Sequence, residues 1–305
     1  MSPLQPAERE AALQLIEWSL REDLAGQVDV TSTVLIAERE WARVDVVARA
    51  AGVLAGGVLL PLVMNRFDPR IEVAVLVADG SPVRPGTRVA ELRGPLRSLL
   101  TAERTALNFL LHLSGVASLT ARYVAEVQGT RARVFDTRKT LPGWRLLDKY
   151  AVRAGGGRNH RMGLFDMLLV KDNHVAGWLA ADPSHTLAGV VSLCRQKAPG
   201  VPLEIEVDTL AQLAEVLPVQ PDMVLLDNMS VAQLREGVAL RDQLAPGVEL
   251  EASGGVNLQT IGAIAQTGVE RISVGALTHS APALDLAFDW GGAERQPREQ
   301  QTANR

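Results

Sequence analysis

Apolar residues at Leu13, Ile16, Leu20 and Leu24 recur at helical spacing, which predicts an amphipathic helix over 8–24. Val44, Val46 and Ala48 alternate with Asp45, Val47 and Arg49, the period of a strand. Ile71–Val77 and Thr87–Leu92 read as further strands, set apart by the turn-forming Asp79-Gly80-Ser81-Pro82 and Pro85-Gly86. Leu99 to Gln128 is helical in composition, and Ser114-Gly115 inside it predicts a break into two helices. The first third therefore reads as helix packed on a small sheet.

From Arg133 the rhythm changes. Short apolar runs recur at Arg133–Phe135, Met167–Val170, Leu203–Val207, Met223–Leu226, Glu249–Ala252 and Arg271–Val274. Helical stretches lie between them at 143–154, 184–197, 209–217, 230–242 and 257–266. That alternation is the pattern of βαβ units and a parallel sheet, and periodicity alone does not separate a barrel from an open sheet. The runs end, however, in Asp136, Lys171, Glu206, Asp227, Ser253-Gly254 and Gly275. Polar residues at so many strand ends favour a barrel, where all C-terminal ends converge on one mouth. The final stretch, GGAERQPREQQTANR, lacks apolar anchors and reads as a solvated tail over 291–305.

Composition narrows the class. Of 305 residues, 47% are apolar and 22% charged, a globular balance, and the formal charge of −4 argues against a nucleic-acid or membrane-surface binder. One cysteine, Cys194, excludes an internal disulfide and a multi-cysteine zinc site. The most apolar stretch, Ala50 to Met64, is short for a membrane span and is broken by Gly52, Gly56, Gly57 and Pro61. With no apolar leader in MSPLQPAERE, the expectation is a cytoplasmic protein.

The densest chemistry runs from Asp136 to His174, where eight basic side chains meet four acidic ones. Arg145, Lys149 and Arg153, at i, i+4 and i+8, read as a solvated helix face. Arg138-Lys139 and His160-Arg161 sit in turn-rich segments beside strands, where adjacent cations suit an anion lying between them. An anion site and a solvated loop both remain open for these pairs. Gly155-Gly156-Gly157 fits neither dinucleotide nor P-loop patterns and reads as a helix stop. Glu204, Glu206 and Asp208 share one strand face, and Asp227 ends the next strand. Two carboxylates at one mouth suit Mg²⁺ or a developing cation, against the alternatives of a surface edge or an ion pair with Lys139 or Lys171. Ser253-Gly254-Gly255 and Gly275 follow late strands, where barrels often cradle phosphate, and His279 lies one turn further on.

Taken in order, these motifs resemble the quinolinate phosphoribosyltransferases, the decarboxylating enzymes of NAD synthesis. The resemblance runs through Glu22-Asp23-Leu24, Asp29-Val30-Thr31-Ser32, Glu103-Arg104-Thr105-Ala106-Leu107-Asn108, the DTRKT…GGGRNHR…KDNH block, EVD at 206–208, LLDNM at 225–229, EASGG at 251–255 and ISVGALTHS at 272–280. It implies an α/β fold: an N-terminal α+β sandwich domain over 1–113, with 280–290 as a candidate addition, and an incomplete (β/α) barrel over 114–279. It also implies a homodimer in which Arg104 acts across the interface on the partner's barrel.

The resemblance further assigns Arg104, Arg138, His160, Arg161 and Lys171 to the carboxylates of quinolinate. Lys139, Lys171, Ser253, Gly254, Gly275 and His279 fall to the phosphates of phosphoribosyl pyrophosphate. Glu206 and Asp227 fall beside the ribose and its Mg²⁺, and Lys139, Lys171, Glu206 and Asp227 form the expected catalytic set. Leu141, Trp144 and Val28 depart from the family pattern without removing a charged site residue. Two rivals are weighed against this expectation: a phosphoribosyltransferase for another ring carboxylate, and a non-catalytic barrel that binds a phosphate ligand.

Overall fold

The computed structural model describes residues 4–295. The chain opens with helices α1 (Pro6–Leu24) and α2 (Val30–Leu35), strands β1 (Glu40–Ala48) and β2 (Gly52–Val53), and α3 (Leu60–Phe67). Strands β3 (Glu72–Val75), β4 (Pro82–Val83) and β5 (Arg88–Pro95) lead into the long helix α4 (Leu96–Glu126). Then come β6 (Arg133–Phe135), α5 (Arg145–Ala154), β7 (Leu168–Val170), α6 (Asp172–Ala181) and α7 (Leu187–Lys197). The alternation continues through β8 (Leu203–Val207), α8 (Leu210–Val216), β9 (Met223–Asp227), α9 (Val231–Leu244) and β10 (Glu249–Ser253). It closes with α10 (Ile261–Ala265), β11 (Arg271–Ser273), α11 (Ala276–His279) and β12 (Leu286–Arg295).

Two compact units result. The first takes the chain through Ser118, Leu146–Gly155 and the segment from Ala281 onward; the second takes Leu119–Arg145 and Gly156–Ser280. The first holds an antiparallel sheet in the order β12-β1-β5-β3 and a short β2-β4 pair. Val44, Val46 and Ala48 of β1 are fully buried, as their alternation predicts. Residues 286–295 pair along the whole of β1, so an ordered strand occupies the first part of the segment read as a tail. Residues 296–305 of that segment lie outside the described residues.

The expected break at Ser114-Gly115 does not occur. Helix α4 is continuous because both residues serve packing: Ser114 Oγ accepts from the Ala55 amide and donates to its carbonyl, each at 3.0 Å. A Cβ on Gly115 would lie 2.3 Å from the Pro282 carbonyl oxygen. The basic helix face is also corrected. Lys149 and Asp148 of α5 are fully buried, His112 Nε2 lies 2.6 Å from Asp148, and Arg153 pairs with the buried Glu8 at 2.5 Å. Tyr150 donates to Asp79 at 2.6 Å, and Asp79 also accepts the Gly56 and Gly57 amides. An i, i+4, i+8 charge pattern cannot distinguish solvent from a polar socket of this kind.

The second unit is a six-stranded parallel sheet in the order β6-β11-β10-β9-β8-β7. Its strands are buried almost throughout, as parallel strands flanked by helices are. The expected barrel strands appear at nearly the expected positions, while α2, α3 and α6 are additional. Among the described residues no helix is long and apolar enough to cross a membrane.

Candidate active site

The C-terminal ends of the parallel strands surround a cavity of about 510 Å³. Strand alternation on β8 explains what enters it. Leu203, Ile205 and Val207 are buried on one face, which turns Glu204 and Glu206 to the other. Glu206 reaches the cavity; Glu204 lies below it and is fully buried.

One wall is cationic. Arg138, Lys139, Arg161 and Lys171 all line it. Segment 158–161 hangs beside β6 through a parallel bridge between Phe135 and Arg158. The fully buried Asp136 fixes that segment, accepting the His160 amide at 2.9 Å and Asn159 Nδ2 at 2.6 Å. Arg161 is held in place by its bond to the Met167 carbonyl at 3.3 Å. Its guanidinium is pushed below its ordinary value by burial and by the neighbouring Arg138 charge. Arg138 Nε is buried with no hydrogen-bond partner among the described residues.

The adjoining wall is acidic. Lys171 Nζ contacts Glu206 across 35 residues of chain. Asp227 lies at the end of β9 and is held above the usual carboxylate range by burial and by the Glu206 charge. Ser253 and Gly254 line the cavity, and Gly254 takes φ +94°, a conformation that favours glycine. Gly275 and His279 stand just outside the lining. A Cβ on Gly275 would meet His279 Nε2 and Lys139 Cδ at 3.1 Å each, so these three groups converge. Thr278 ties them together by donating to the Lys139 carbonyl at 2.8 Å. Arg104 is an exposed residue of α4 in the first unit.

At the floor of the cavity, which His160 and Glu251 line, lies a largely buried cluster of His160, Glu204, Glu251 and Arg271. His160 Nε2 is 3.0 Å from Glu204 and 3.3 Å from Glu251, and Arg271 Nε donates to Glu251 at 2.7 Å. The Arg271 guanidinium also lies 3.7 Å from the Phe135 ring centroid, a cation–π contact. Burial disfavours a charged His160, but its contacts with Glu204 and Glu251 outweigh that and raise its pKa to about 9. The Arg161 amide lies 2.8 Å from Nδ1, and in the neutral ring that bond places the proton on Nε2, facing the carboxylates. Burial and the Glu251 charge push Glu204 up; Glu251, for all its burial, is held down by His160 and Arg271. Glu251 thus pairs with Arg271 on one side and meets the His160 ring on the other. Glu251, in the middle of β10, and Asn228, just after β9, have no signal in residue spacing alone.

Two family models match the chain: the N-terminal domain of quinolinate phosphoribosyl transferase over residues 29–114, and its C-terminal domain over 116–289. The chain belongs to the quinolinate phosphoribosyltransferase family. It is 42% identical over 288 residues to a carboxylating nicotinate-nucleotide pyrophosphorylase from Mycobacterium leprae, covering 94% of this chain and 99% of that one. Among solved structures, NadC from Streptococcus pyogenes superposes with a TM-score of 0.87 at 37% identity, over 97% of this chain and 100% of that chain. The nicotinate-nucleotide pyrophosphorylase of Francisella tularensis gives a TM-score of 0.85 at 37% identity, covering 92% and 96%. Membership in this family accounts for a mouth with opposed charges, since its substrates carry carboxylates and phosphates.

Proposed function

We propose that the chain transfers the phosphoribosyl group of phosphoribosyl pyrophosphate to quinolinate, yielding nicotinate mononucleotide, CO2 and pyrophosphate in NAD synthesis. The observation that carries this reading is Arg138 Nε, buried near Arg161 at the cavity with no hydrogen-bond partner among the described residues. Two guanidiniums whose charges act on each other suit an anionic ligand, and a ring dicarboxylate can meet both forks.

In this reading Arg138, Arg161 and Lys171 hold the quinolinate carboxylates. Arg104 of the partner subunit adds to them in a homodimer. Lys139, Ser253, Gly254, Gly275 and His279 hold phosphate oxygens. When pyrophosphate departs, C1 of the ribose takes on oxocarbenium character, and Glu206 and Asp227 stabilise it electrostatically. The pyridine nitrogen attacks C1, so no protein nucleophile is required. The C2 carboxylate then leaves as CO2, its bonding pair stays on C2 beside the pyridinium, and a proton from Lys139 or Lys171 quenches it.

The acidic wall fits Mg²⁺. Both carboxylates line the cavity, Asp227 is raised by burial and then by the Glu206 charge, and a divalent cation would offset both while taking further ligands from phosphate oxygens. When bound, Mg²⁺ would neutralise charge on the departing pyrophosphate. A lone cysteine and a soluble two-unit fold accord with a cytoplasmic setting.

The test mixes purified protein with quinolinate, phosphoribosyl pyrophosphate and Mg²⁺ and measures CO2 and nicotinate mononucleotide together. Equal yields of both, abolished by chelation, are expected. Turnover with nicotinate but none with quinolinate would overturn the substrate; binding of both substrates without turnover would leave a ligand-binding barrel.

A further inference from the structure

Asn228 follows Asp227 directly and is one of few non-glycine residues with left-handed backbone, at φ +53°. Asparagine tolerates this conformation better than most residues, but the side chain is doing more than tolerating a turn. Its Nδ2 donates to Asp227 Oδ2 at 2.6 Å, which leaves the other carboxylate oxygen of Asp227 without that bond. Its backbone amide donates to the Ser253 carbonyl at 2.9 Å, crossing from the end of β9 to the end of β10. Its Oδ1 occupies the space beside Gly254, where a Cβ would lie only 2.1 Å away. One residue therefore touches the acidic wall and the glycine turn at once, and it lines the cavity between them.

We infer that Asn228 is a positioning residue that sets the rotamer of Asp227 and the shape of the Ser253–Gly254 turn as a single unit. The two features are needed together only by a ligand that spans them, one carrying a ribose beside Asp227 and a phosphate at the turn. In the proposed reading the carboxylates of the ring acid meet Arg138, Arg161 and Lys171, and the bonds of Asn228 go to Asp227 and Ser253 instead. Its loss is therefore selective, falling on the phosphoribosyl substrate and on the rate. This inference rests on the function proposed above.

Two variants separate the side chain from the backbone. Asn228→Gly retains the left-handed turn and removes the amide; Asn228→Asp retains shape and turn tolerance while replacing the donor with an oxygen that faces Asp227. Thermal unfolding checks the fold, calorimetry gives the dissociation constant for quinolinate alone, and steady-state CO2 release gives kcat and the KM for phosphoribosyl pyrophosphate. We expect kcat/KM for phosphoribosyl pyrophosphate to fall roughly 10–100-fold in both variants, the usual loss when a supporting hydrogen bond behind a functional ligand is removed. Quinolinate binding is expected to stay within about twofold, because the bonds of Asn228 go to Asp227 and Ser253. Wild-type kcat/KM in Asn228→Asp would overturn the inference, as would equal losses for both substrates. Absence of turnover in the wild-type protein would instead overturn the reading of function, and the two failures cannot be confused.

Discussion

Replacing Arg138 with methionine separates what the residue does for the ligand from what it does for the fold. Its Nε is buried with no partner among the described residues, and its charge lies close enough to Arg161 to depress that guanidinium. In the ligand-free protein, methionine fills similar space and removes a like-charge repulsion, so stability is expected to hold or to rise by up to about 1 kcal/mol. For a chain of this size that is a melting shift between zero and roughly +3 °C. Ligand binding responds in the opposite sense. Removing one partner of a desolvated charge pair costs about 2–5 kcal/mol, which weakens quinolinate binding on the order of 30- to 4,000-fold. Calorimetric titration of quinolinate and thermal unfolding without ligand are the paired assays. A drop of more than about 4 °C in melting temperature, with quinolinate affinity retained within threefold, would make Arg138 a structural prop and refute the reasoning.

Two further predictions concern the first unit. Gly115→Ala places a methyl 2.3 Å from the Pro282 carbonyl oxygen, where only backbone movement can relieve it; a loss of about 1–3 kcal/mol in denaturant unfolding is expected, whereas helix propensity alone predicts a gain. Asp68 is held near pKa 2, chiefly by the fork of Arg70 and against burial, with a further bond from Ser98 at 2.6 Å. Because the folded value lies below the unfolded one of about 3.9, its stabilisation is complete above pH ~4 and is lost as pH falls toward ~2. Asp68→Asn should therefore lower stability by about 1–2 kcal/mol at neutral pH and flatten its decline in acid, as read by urea unfolding at several pH values; an unchanged pH slope would refute the assignment.

The barrel was legible because its strands carry apolar runs that end in functional residues, so one pattern reports both architecture and site. Arg138, Lys139, His160, Arg161, Lys171, Glu206, Asp227, Ser253 and Gly254 all line the cavity that their strand-end positions imply. What stayed hidden depends on long-range packing. Gly115 signals a helix break by propensity, and nothing local reveals that Pro282 lies against it. Arg153 has the spacing of a wet face, yet its partner Glu8 lies 145 positions away, and the neighbouring Asp148 meets His112, 36 positions away. Glu251 is one glutamate among many until β10 places it beside Arg271 in the adjacent strand.

The buried acids at the floor of the cavity show how a cationic wall can be built without being neutralised. A carboxylate paired to Arg138 or Arg161 would stabilise the empty protein and compete with an incoming anion. Here the three buried acids spend their contacts elsewhere. Asp136 grips the His160 amide and the Asn159 side chain, while Glu204 and Glu251 grip the His160 ring. That ring in turn accepts the Arg161 amide, so negative charge anchors the backbone of the strip and leaves its guanidinium to the cavity. The core pays with Glu204 Oε1, which is buried without a hydrogen-bond partner among the described residues. An apolar core would be the more stable one, but it would have nothing with which to anchor the backbone at His160 and Arg161.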